Sequence, residues 1–190
     1  MRKIKETILS TLAYADVFDY PLNSEERYRF LITTDSLSWG SLKQALTRII
    51  TNEKRINTNG EYFFLRGRQK IVNIRKSRQR WSREKLKIAQ KVANWLKIIP
   101  TIKMVAITGA LAMNNSDKED DIDLLIIASK NRLWLTRFLT VLLVELVARR
   151  RRPGDKDVED KICLNMFLDE DHLEIPEKEQ DLFSAHEVCQ

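Results

Sequence analysis

Asp121 and Asp123 are the residues whose type and spacing are best suited to chemistry. They open an apolar run, Asp121–Ala128, that predicts a β-strand. Because side chains repeat every two residues along a strand, both carboxylates are expected on one face. Neighbouring carboxylates repel each other, and a hard divalent cation such as Mg²⁺ or Mn²⁺, which also binds phosphates, relieves that repulsion. The pair therefore predicts a metal–phosphate site.

The segment before this pair predicts the elements that position it. A strand runs from Ile102 into Gly109, a short helix begins at Ala110, and Asn114–Asp120 forms a polar loop. Glycine allows the backbone to approach a ligand closely, and the start of a helix favours an anion. A phosphate cradle followed by metal-binding carboxylates suits phosphate transfer assisted by two metal ions.

The chain from Thr101 to Phe167 resembles the DNA polymerase β-like nucleotidyltransferase superfamily. The resemblance rests on a strand that ends in glycine, a loop of fixed length, and Asp-hydrophobic-Asp opening the next strand. Gly109 and Asp121 lie twelve positions apart, close to the spacing in minimal members. The resemblance implies metal-dependent transfer of a nucleotidyl group from a nucleoside triphosphate to a hydroxyl of RNA, protein or a small molecule. It makes Asp121 and Asp123 the catalytic metal ligands.

The resemblance also implies the remaining site residues. Nucleotide binding is expected at four consecutive or nearby positions: Thr108, Gly109, Ala110 and Asn114. The family has serine at the position of Ala110, so the Thr108 hydroxyl or backbone N–H groups are expected to replace that contact. The family also has a third carboxylate on a later strand. The candidate strand here is Lys161–Leu168, and its central polar residue, Asn165, is the expected third metal ligand, although an amide cannot act as a base.

The N-terminal third predicts helices followed by a β-hairpin. Ile4–Val17 has helical apolar spacing, and Asn23 or Ser24 can cap a second helix after Pro21. Ser41–Thr51 predicts a third helix, and Asn59-Gly60 between β-prone residues predicts a hairpin turn. This order of elements resembles a winged helix-turn-helix domain, in which the third helix enters the major groove.

Two interpretations of the N-terminal region stay open. Its third helix offers Lys43 and Arg48 as nucleic-acid contacts. Alternatively, the region contacts a protein or packs on its neighbour, because the order of helices alone does not establish DNA binding.

Arg66 to Lys91 is the most basic segment, with eleven Lys or Arg and one Glu. Apolar spacing predicts one long helix that continues to about Ile98. The segment is either a solvated linker helix or a phosphate-contacting surface, and the sequence favours neither. On the second interpretation the nucleic-acid contacts include four cations near its middle: Arg75, Lys76, Arg78 and Arg80.

The remaining segments complete the predicted C-terminal domain. Asn131–Arg150 predicts a helix whose apolar stretch is interrupted by Arg137 and Glu145, which favours a buried helix on a sheet over a membrane span. Arg149–Arg152 is expected to complement the end of that helix. Glu177–Val188 predicts a terminal helix. Cys163 is expected to be a small core residue.

Composition fits these predictions. The chain has 190 residues, a formal net charge of +6 and two cysteines, which indicates a globular protein in a reducing, cytoplasmic setting. We expect an α+β fold with a winged-helix-like domain at residues 1–66, a basic linker helix at 67–99 and a small mixed-sheet nucleotidyltransferase domain at 100–190. Two alternatives to an enzyme are a nucleic-acid-binding regulator with a weakened or inactive nucleotidyltransferase domain and a subunit of a toxin–antitoxin-like pair.

Overall fold

The computed structural model describes residues 2–33, 40, 49 and 53–181. Within them the fold is α+β, with five α-helices and two small β-sheets. The chain forms two compact units, Met1–Lys76 with Pro176–Gln190, and Ser77–Ile175. We call them the N-terminal and C-terminal units. The expected third helix at Ser41–Thr51, with Lys43 and Arg48, lies outside the described residues, and so does the chain beyond residue 181.

Two helices begin the N-terminal unit. Helix α1 spans Arg2–Val17 and buries the apolar positions predicted from its spacing. Helix α2 spans Ser24–Arg29, and its cap is Asn23, one of the two predicted candidates. The Asn23 side chain accepts hydrogen bonds from two backbone amides of the first turn. In return, the backbone amide of Asn23 donates a hydrogen bond to the Glu26 carboxylate (2.9 Å). This reciprocal capping box satisfies donors that the helix itself leaves unpaired.

The predicted β-hairpin is confirmed. Strands β1 (Ile56–Thr58) and β2 (Phe63–Leu65) are antiparallel. The turn depends on two residues. The side-chain oxygen of Asn59 accepts hydrogen bonds from two backbone amides, and Gly60 has φ +94°. Only glycine adopts that conformation readily, so the Asn-Gly pair fixes where the strands turn.

Helix α3 spans Ile71–Leu96, and its first residues belong to the N-terminal unit. There the Arg75 side chain is buried, bonds the Pro21 carbonyl and forms a two-pronged ion pair with Glu26 (2.5 and 2.7 Å). Burial would raise the pKa of Glu26, but hydrogen bonds from Arg75 and the Asn23 amide outweigh it and lower that pKa. Arg75 therefore ties α3 to α2 inside the unit, a position that differs from the surface contact expected from the sequence.

The C-terminal unit is built on a three-stranded mixed sheet. Strand β3 (Ile102–Ile107) pairs antiparallel with β4 (Ile122–Ala128), which pairs parallel with β5 (Ile162–Asp169). Helix α4 (Gly109–Ala112) connects β3 to β4. Helix α5 (Leu133–Val147) provides the crossover between the two parallel strands. The predicted strands and helices of this region are confirmed to within a few residues.

One apolar core supports the sheet. Alternate residues of the central strand, Ile122, Leu124 and Ile126, are at most 1% exposed. They pack with side chains from three helices and from β5, among them Val92 and Leu96 of α3, Leu111 of α4, Val144 of α5 and Ile162. Because a strand alternates its side chains, the residues between these core positions, such as Asp123, face the other side of the sheet.

Helix α5 differs from the buried helix expected. Its inward face carries Thr136, Thr140 and Val144, whereas Trp134 and Leu146 are about three-quarters exposed. The Thr136 hydroxyl donates a hydrogen bond to the Thr101 hydroxyl (2.7 Å), so this inward-facing polar group of Thr136 has a partner. None of the helices within the described ranges combines the length and apolar character needed to cross a membrane.

The described C-terminal segment contains a short 3₁₀ helix at Glu177–Glu179. The predicted terminal helix, Glu177–Val188, starts at the same residue, but Gln180 and Asp181 are not helical, and the part from residue 182 lies outside the described residues.

Candidate metal centre

Strand β4 brings the two predicted carboxylates together. Asp121 directly precedes the strand and Asp123 is its second residue. Both side chains are half-buried, and their oxygens lie within 4.8 Å of each other and of the Cys163 sulfur. The predicted pairing of Asp121 and Asp123 on one face is therefore confirmed as geometry, while their catalytic role stays a prediction.

The third member of this cluster is Cys163, whereas the sequence predicts Asn165 as the third ligand. The parallel register places Asp123 opposite Cys163. A bulge follows, because Leu124 faces Leu164 whereas Leu125 faces Met166, so Asn165 is an extra residue in β5. Asn165 is exposed, and its role as a metal ligand stays a prediction. A bulge re-aims the side chains around it.

The sequence contained a signal for Cys163. Asp123 is the second residue of β4, and Cys163 is the second residue of β5. Two parallel strands that begin level with each other place such residues side by side. Sequence reasoning chose the central polar residue of the strand instead, and it assigned Cys163 to the core. The core face of β5 is occupied by Ile162 and by Leu164.

The electrostatics of the cluster show that negative charge is crowded there. Burial raises the pKa of Asp123, and the charge of Asp121 raises it further, against a hydrogen bond from the Cys163 thiol and the charge of Arg151. Burial and the two carboxylates also raise the pKa of Cys163 to about 12. Both effects disfavour the anionic forms, and a bound cation would reverse them.

Arg151 is the cation that this arrangement supplies from the chain itself. Its Nη1 donates to Asp121 Oδ2 (2.6 Å), and the side chain of Arg151 is 44% exposed. The backbone positions it, because the Arg151 amide donates to the Ile162 carbonyl (2.9 Å) beside β5. Sequence reasoning treated Arg149–Arg152 as one cluster at the end of a helix. Nothing in four consecutive arginines distinguishes the one that reaches Asp121.

The neighbouring arginines have separate partners. Arg149 pairs with Asp157, whereas Arg150 and Arg152 both pair with Glu145. These three cations are therefore neutralised within the loop and the end of α5, and of the four arginines only Arg151 pairs with the Asp121–Asp123–Cys163 cluster.

Gly109 lies against the Asp123 carboxylate. It has φ +66°, and a Cβ added there would lie 2.8 Å from Asp123 Oδ2, closer than real side-chain contacts. The backbone on either side is fixed, because the Thr108 amide donates to the Asp123 carbonyl (3.1 Å). Glycine is thus required twice at this position, for its conformation and for the space that the carboxylate occupies.

Replacing Gly109 by alanine is expected to lower divalent-cation affinity by roughly 10-fold or more, because the new Cβ displaces Asp123. The backbone strain adds about 1–2 kcal/mol of destabilisation. Gly154→Ala is the matched control, since Gly154 has φ +88° with nothing within 4 Å of an added Cβ. Thermal unfolding and Mn²⁺ titration of both variants separate the two effects. Equal metal affinity in both variants would show that Gly109 does not shape the site.

Two predicted nucleotide-binding side chains carry polar atoms without a partner. Thr108 Oγ1 and Asn114 Oδ1 are buried and make no hydrogen bond within the described part of the chain. Asn114 also has φ +55°, which asparagine tolerates better than most residues. Buried polar atoms are normally satisfied, so both atoms are suited to a ligand or to water. Gly109 and Ala110, which lie between Thr108 and Asn114 in the sequence, are exposed.

Lys85 of α3 holds together the two segments that lead into strands β4 and β5. Its side chain is 2% exposed, and Nζ donates to the Lys118 carbonyl (2.9 Å), the Asp120 carbonyl (2.7 Å) and Asp160 Oδ1 (2.8 Å). Asp120 precedes Asp121 in the chain, and Asp160 lies just before β5. The ammonium thus joins the two segments that carry the cluster, a role that sequence reasoning missed because Lys85 belongs to the basic segment.

The basic segment is less uniform than its sequence suggests. Arg75 and Lys85 are buried, Arg68 pairs with Asp16 and Asp19, and Arg78 is half-buried beside Asp117. Seven of the eleven cations are exposed: Arg66, Lys70, Lys76, Arg80, Arg83, Lys87 and Lys91. Of the four cations of this segment that were predicted to contact nucleic acid, Lys76 and Arg80 are exposed.

No known family model, curated protein or solved structure matches this chain. The likeness to polymerase β-like nucleotidyltransferases accordingly stays an expectation from Gly109, Asp121 and Asp123. The structure adds a local geometry in which these three residues meet, together with Cys163 and Arg151.

Proposed function

We propose that the C-terminal unit is a metal-dependent nucleotidyltransferase domain that transfers a nucleotidyl group from a nucleoside triphosphate to a hydroxyl of RNA, protein or a small molecule. The observation that carries the proposal is the carboxylate pair, Asp121 and Asp123, held against the Gly109 turn. Crowded, half-buried carboxylates are unfavourable alone and are found where a cation is bound.

The two carboxylates fit a divalent cation such as Mg²⁺ or Mn²⁺, since both offer hard oxygen ligands at neighbouring positions. When bound, such an ion would supply positive charge that stabilises the charge developing on the phosphate during transfer. The chain's own contribution is to position the carboxylates through β4 and to leave space for them at Gly109.

The residues around the pair would bind the triphosphate. Gly109 and Ala110 offer exposed backbone, and the Thr108 and Asn114 side chains offer polar atoms without partners in the described chain. Arg151 is partly exposed beside Asp121 and would supply positive charge to the phosphates. The cluster holds no third carboxylate among the described residues, so we assign no general base.

Incorporation of labelled nucleotide tests this proposal. Full-length protein with Mg²⁺ or Mn²⁺ is expected to transfer label from one of the four ribonucleoside triphosphates to an RNA or protein acceptor, and Asp121→Ala and Asp123→Ala are expected to remove the transfer. Asp171→Ala is the control, since Asp171 is an exposed carboxylate that pairs with Lys130 and lies outside the Asp121–Asp123–Cys163 cluster. Absence of transfer from all four triphosphates, or full activity in Asp123→Ala, would contradict the proposal.

A second candidate function is nucleic-acid binding by the N-terminal unit and α3, with the nucleotidyltransferase-like unit as a scaffold or sensor. The order α1, α2 and β-hairpin agrees with a winged-helix-like domain, which we propose for this region. The specific observation in favour is that seven cations between Arg66 and Lys91 are exposed, whereas this segment contains one acidic residue, Glu84. An excess of exposed cations suits phosphate binding.

Nucleic-acid binding is expected to weaken steeply with salt. Charge reversal at Lys76 and Arg80 is expected to lower affinity for duplex DNA or RNA and to reduce the slope of log affinity against log salt by about one for each lost phosphate contact. Lys97→Glu with Lys103→Glu is the control, because it makes the same change of charge at exposed positions outside the segment. Affinity that does not respond to salt would exclude this function.

A further inference from the structure

We propose that the Cys163 thiolate is the third protein ligand of the metal centre, and that the site therefore takes a thiophilic divalent transition-metal ion, of the Zn²⁺ or Co²⁺ class, in preference to Mg²⁺. This inference rests on the metal site of the proposed function and specifies its cofactor. Mg²⁺ and Ca²⁺ favour oxygen ligands, whereas sulfur selects softer ions.

The register is the first argument. Cys163 is paired directly with Asp123 in the parallel ladder, so the two side chains leave the sheet on the same face. One ligand atom from each of Asp121, Asp123 and Cys163 lies within 4.8 Å of the other two. Atoms this close can share one ion, because metal–oxygen and metal–sulfur bonds are each about 2.0–2.3 Å long.

The surroundings of the sulfur are the second argument. A cysteine that served packing would be expected on the core face of β5, but Ile162 and Leu164 occupy that face. Cys163 instead lies on the opposite face beside two carboxylates, and its thiol donates a hydrogen bond to Asp123. A small apolar side chain gains little from such a position, whereas a metal ligand belongs there.

The bulge is the third argument. It begins after Leu164, so it leaves Cys163 in register with Asp123, while Asn165 is paired with no residue of β4. Among the His, Cys, Asp and Glu side chains of the described residues, the Cys163 sulfur is the third donor that lies beside the carboxylate pair. The donor set is two oxygens and one sulfur, which is found with zinc and not with magnesium.

Spectroscopic titration of the full chain tests the inference. Addition of Co²⁺ is expected to produce a sulfur-to-metal charge-transfer band in the near ultraviolet, and Cys163→Ser is expected to remove it. Cd²⁺ and Zn²⁺ affinity should fall at least about 10-fold in Cys163→Ser, while Cys163→Asp should gain Mg²⁺ affinity. Cys189→Ser removes the other thiol of the chain and is expected to leave the band unchanged.

The outcomes separate this inference from the proposed function. If the wild type binds divalent cations but shows no charge-transfer band, or if Cys163→Ser keeps the band, the sulfur is not a ligand and the carboxylate site stands. If the wild type binds none of Co²⁺, Zn²⁺, Mn²⁺ or Mg²⁺, both the metal site and its third ligand are refuted. Circular dichroism of each variant confirms that it is folded, and Cys163→Ala replaces any variant that is not.

Discussion

Replacing Asp123 by asparagine is expected to abolish divalent-cation binding and, without metal, to raise the midpoint of thermal unfolding at neutral pH. Metal affinity should fall at least about 100-fold, beyond the 10–100-fold cost of losing a residue that only supports a ligand. Stability should rise because the substitution removes a half-buried carboxylate that burial and Asp121 both disfavour in its charged form. Stabilising substitutions at functional sites commonly add about 0.5–2 kcal/mol.

The gain in stability has a defined dependence on pH. The pKa of Asp123 is raised above its ordinary value of 3.8, so the ionised carboxylate lowers stability above that raised pKa. As the pH falls through the raised pKa towards 3.8, Asp123 becomes protonated, and its difference from asparagine should vanish. Differential scanning calorimetry across this range, in the presence of a chelator, measures the effect.

Asp155→Asn is the matched comparison in the same unit. A hydrogen bond from Lys161 (2.8 Å) and one from the Arg152 amide lower the pKa of Asp155, which is the opposite shift. Asparagine at this position should therefore lower the unfolding midpoint at neutral pH and leave metal affinity unchanged. A lower midpoint in Asp123→Asn as well would show that the Asp123 carboxylate stabilises the fold and is not held there for a ligand.

Replacing Lys85 by methionine is expected to destabilise the C-terminal unit by about 2–4 kcal/mol. The substitution keeps the volume of the side chain but leaves the carbonyls of Lys118 and Asp120 and the Asp160 carboxylate without their shared donor. Removing one partner of a buried ion pair costs about 3–5 kcal/mol, and the lower range applies because Asp160 is 41% exposed. Chemical denaturation monitored by tryptophan fluorescence measures the loss.

A positioning role of Lys85 also predicts weaker metal binding by the folded variant. Loss of the ammonium frees the segments that lead into Asp121 and into β5, so the ligands of the cluster are held less well. Lys87→Met is the control, since Lys87 is exposed and its ion pair with Glu84 contributes little. If Lys85→Met is too unstable, Asp160→Asn removes one contact only. Unchanged metal affinity in a destabilised variant would reduce Lys85 to a purely structural residue.

The sequence predicted the elements of the C-terminal unit well because their signals are local. Apolar runs predict strands β3 and β4, and two-residue alternation already places Asp121 and Asp123 on one face. In the N-terminal unit the Asn59-Gly60 turn and the Asn23 cap are likewise determined by neighbouring residues. The strand before Gly109 predicts a glycine turn at this position, and the structure adds that any Cβ there would collide with the Asp123 carboxylate.

Features that depend on contacts distant in sequence could not be predicted in this way. The bulge after Leu164 leaves Asn165 without a partner in β4, and no local pattern in β5 predicts that bulge. Arg75 is buried only because Glu26, 49 positions earlier, receives it, and Lys85 because Asp160 lies beside it in the fold. The number of cations in the sequence of a helix therefore overestimates the positive charge on its surface, because the buried cations form ion pairs within the fold.

Isothermal titration with a non-hydrolysable nucleoside triphosphate, in the presence and absence of a divalent cation, tests the central claim most directly. The metal centre proposed at Asp121 and Asp123 predicts triphosphate binding that requires a divalent cation (Mg²⁺, Mn²⁺ or Zn²⁺), is abolished by a chelator, and is lost in Asp123→Asn. Triphosphate binding that persists with the chelator or in Asp123→Asn would contradict a metal–phosphate site at these carboxylates, as would the absence of binding under every metal condition.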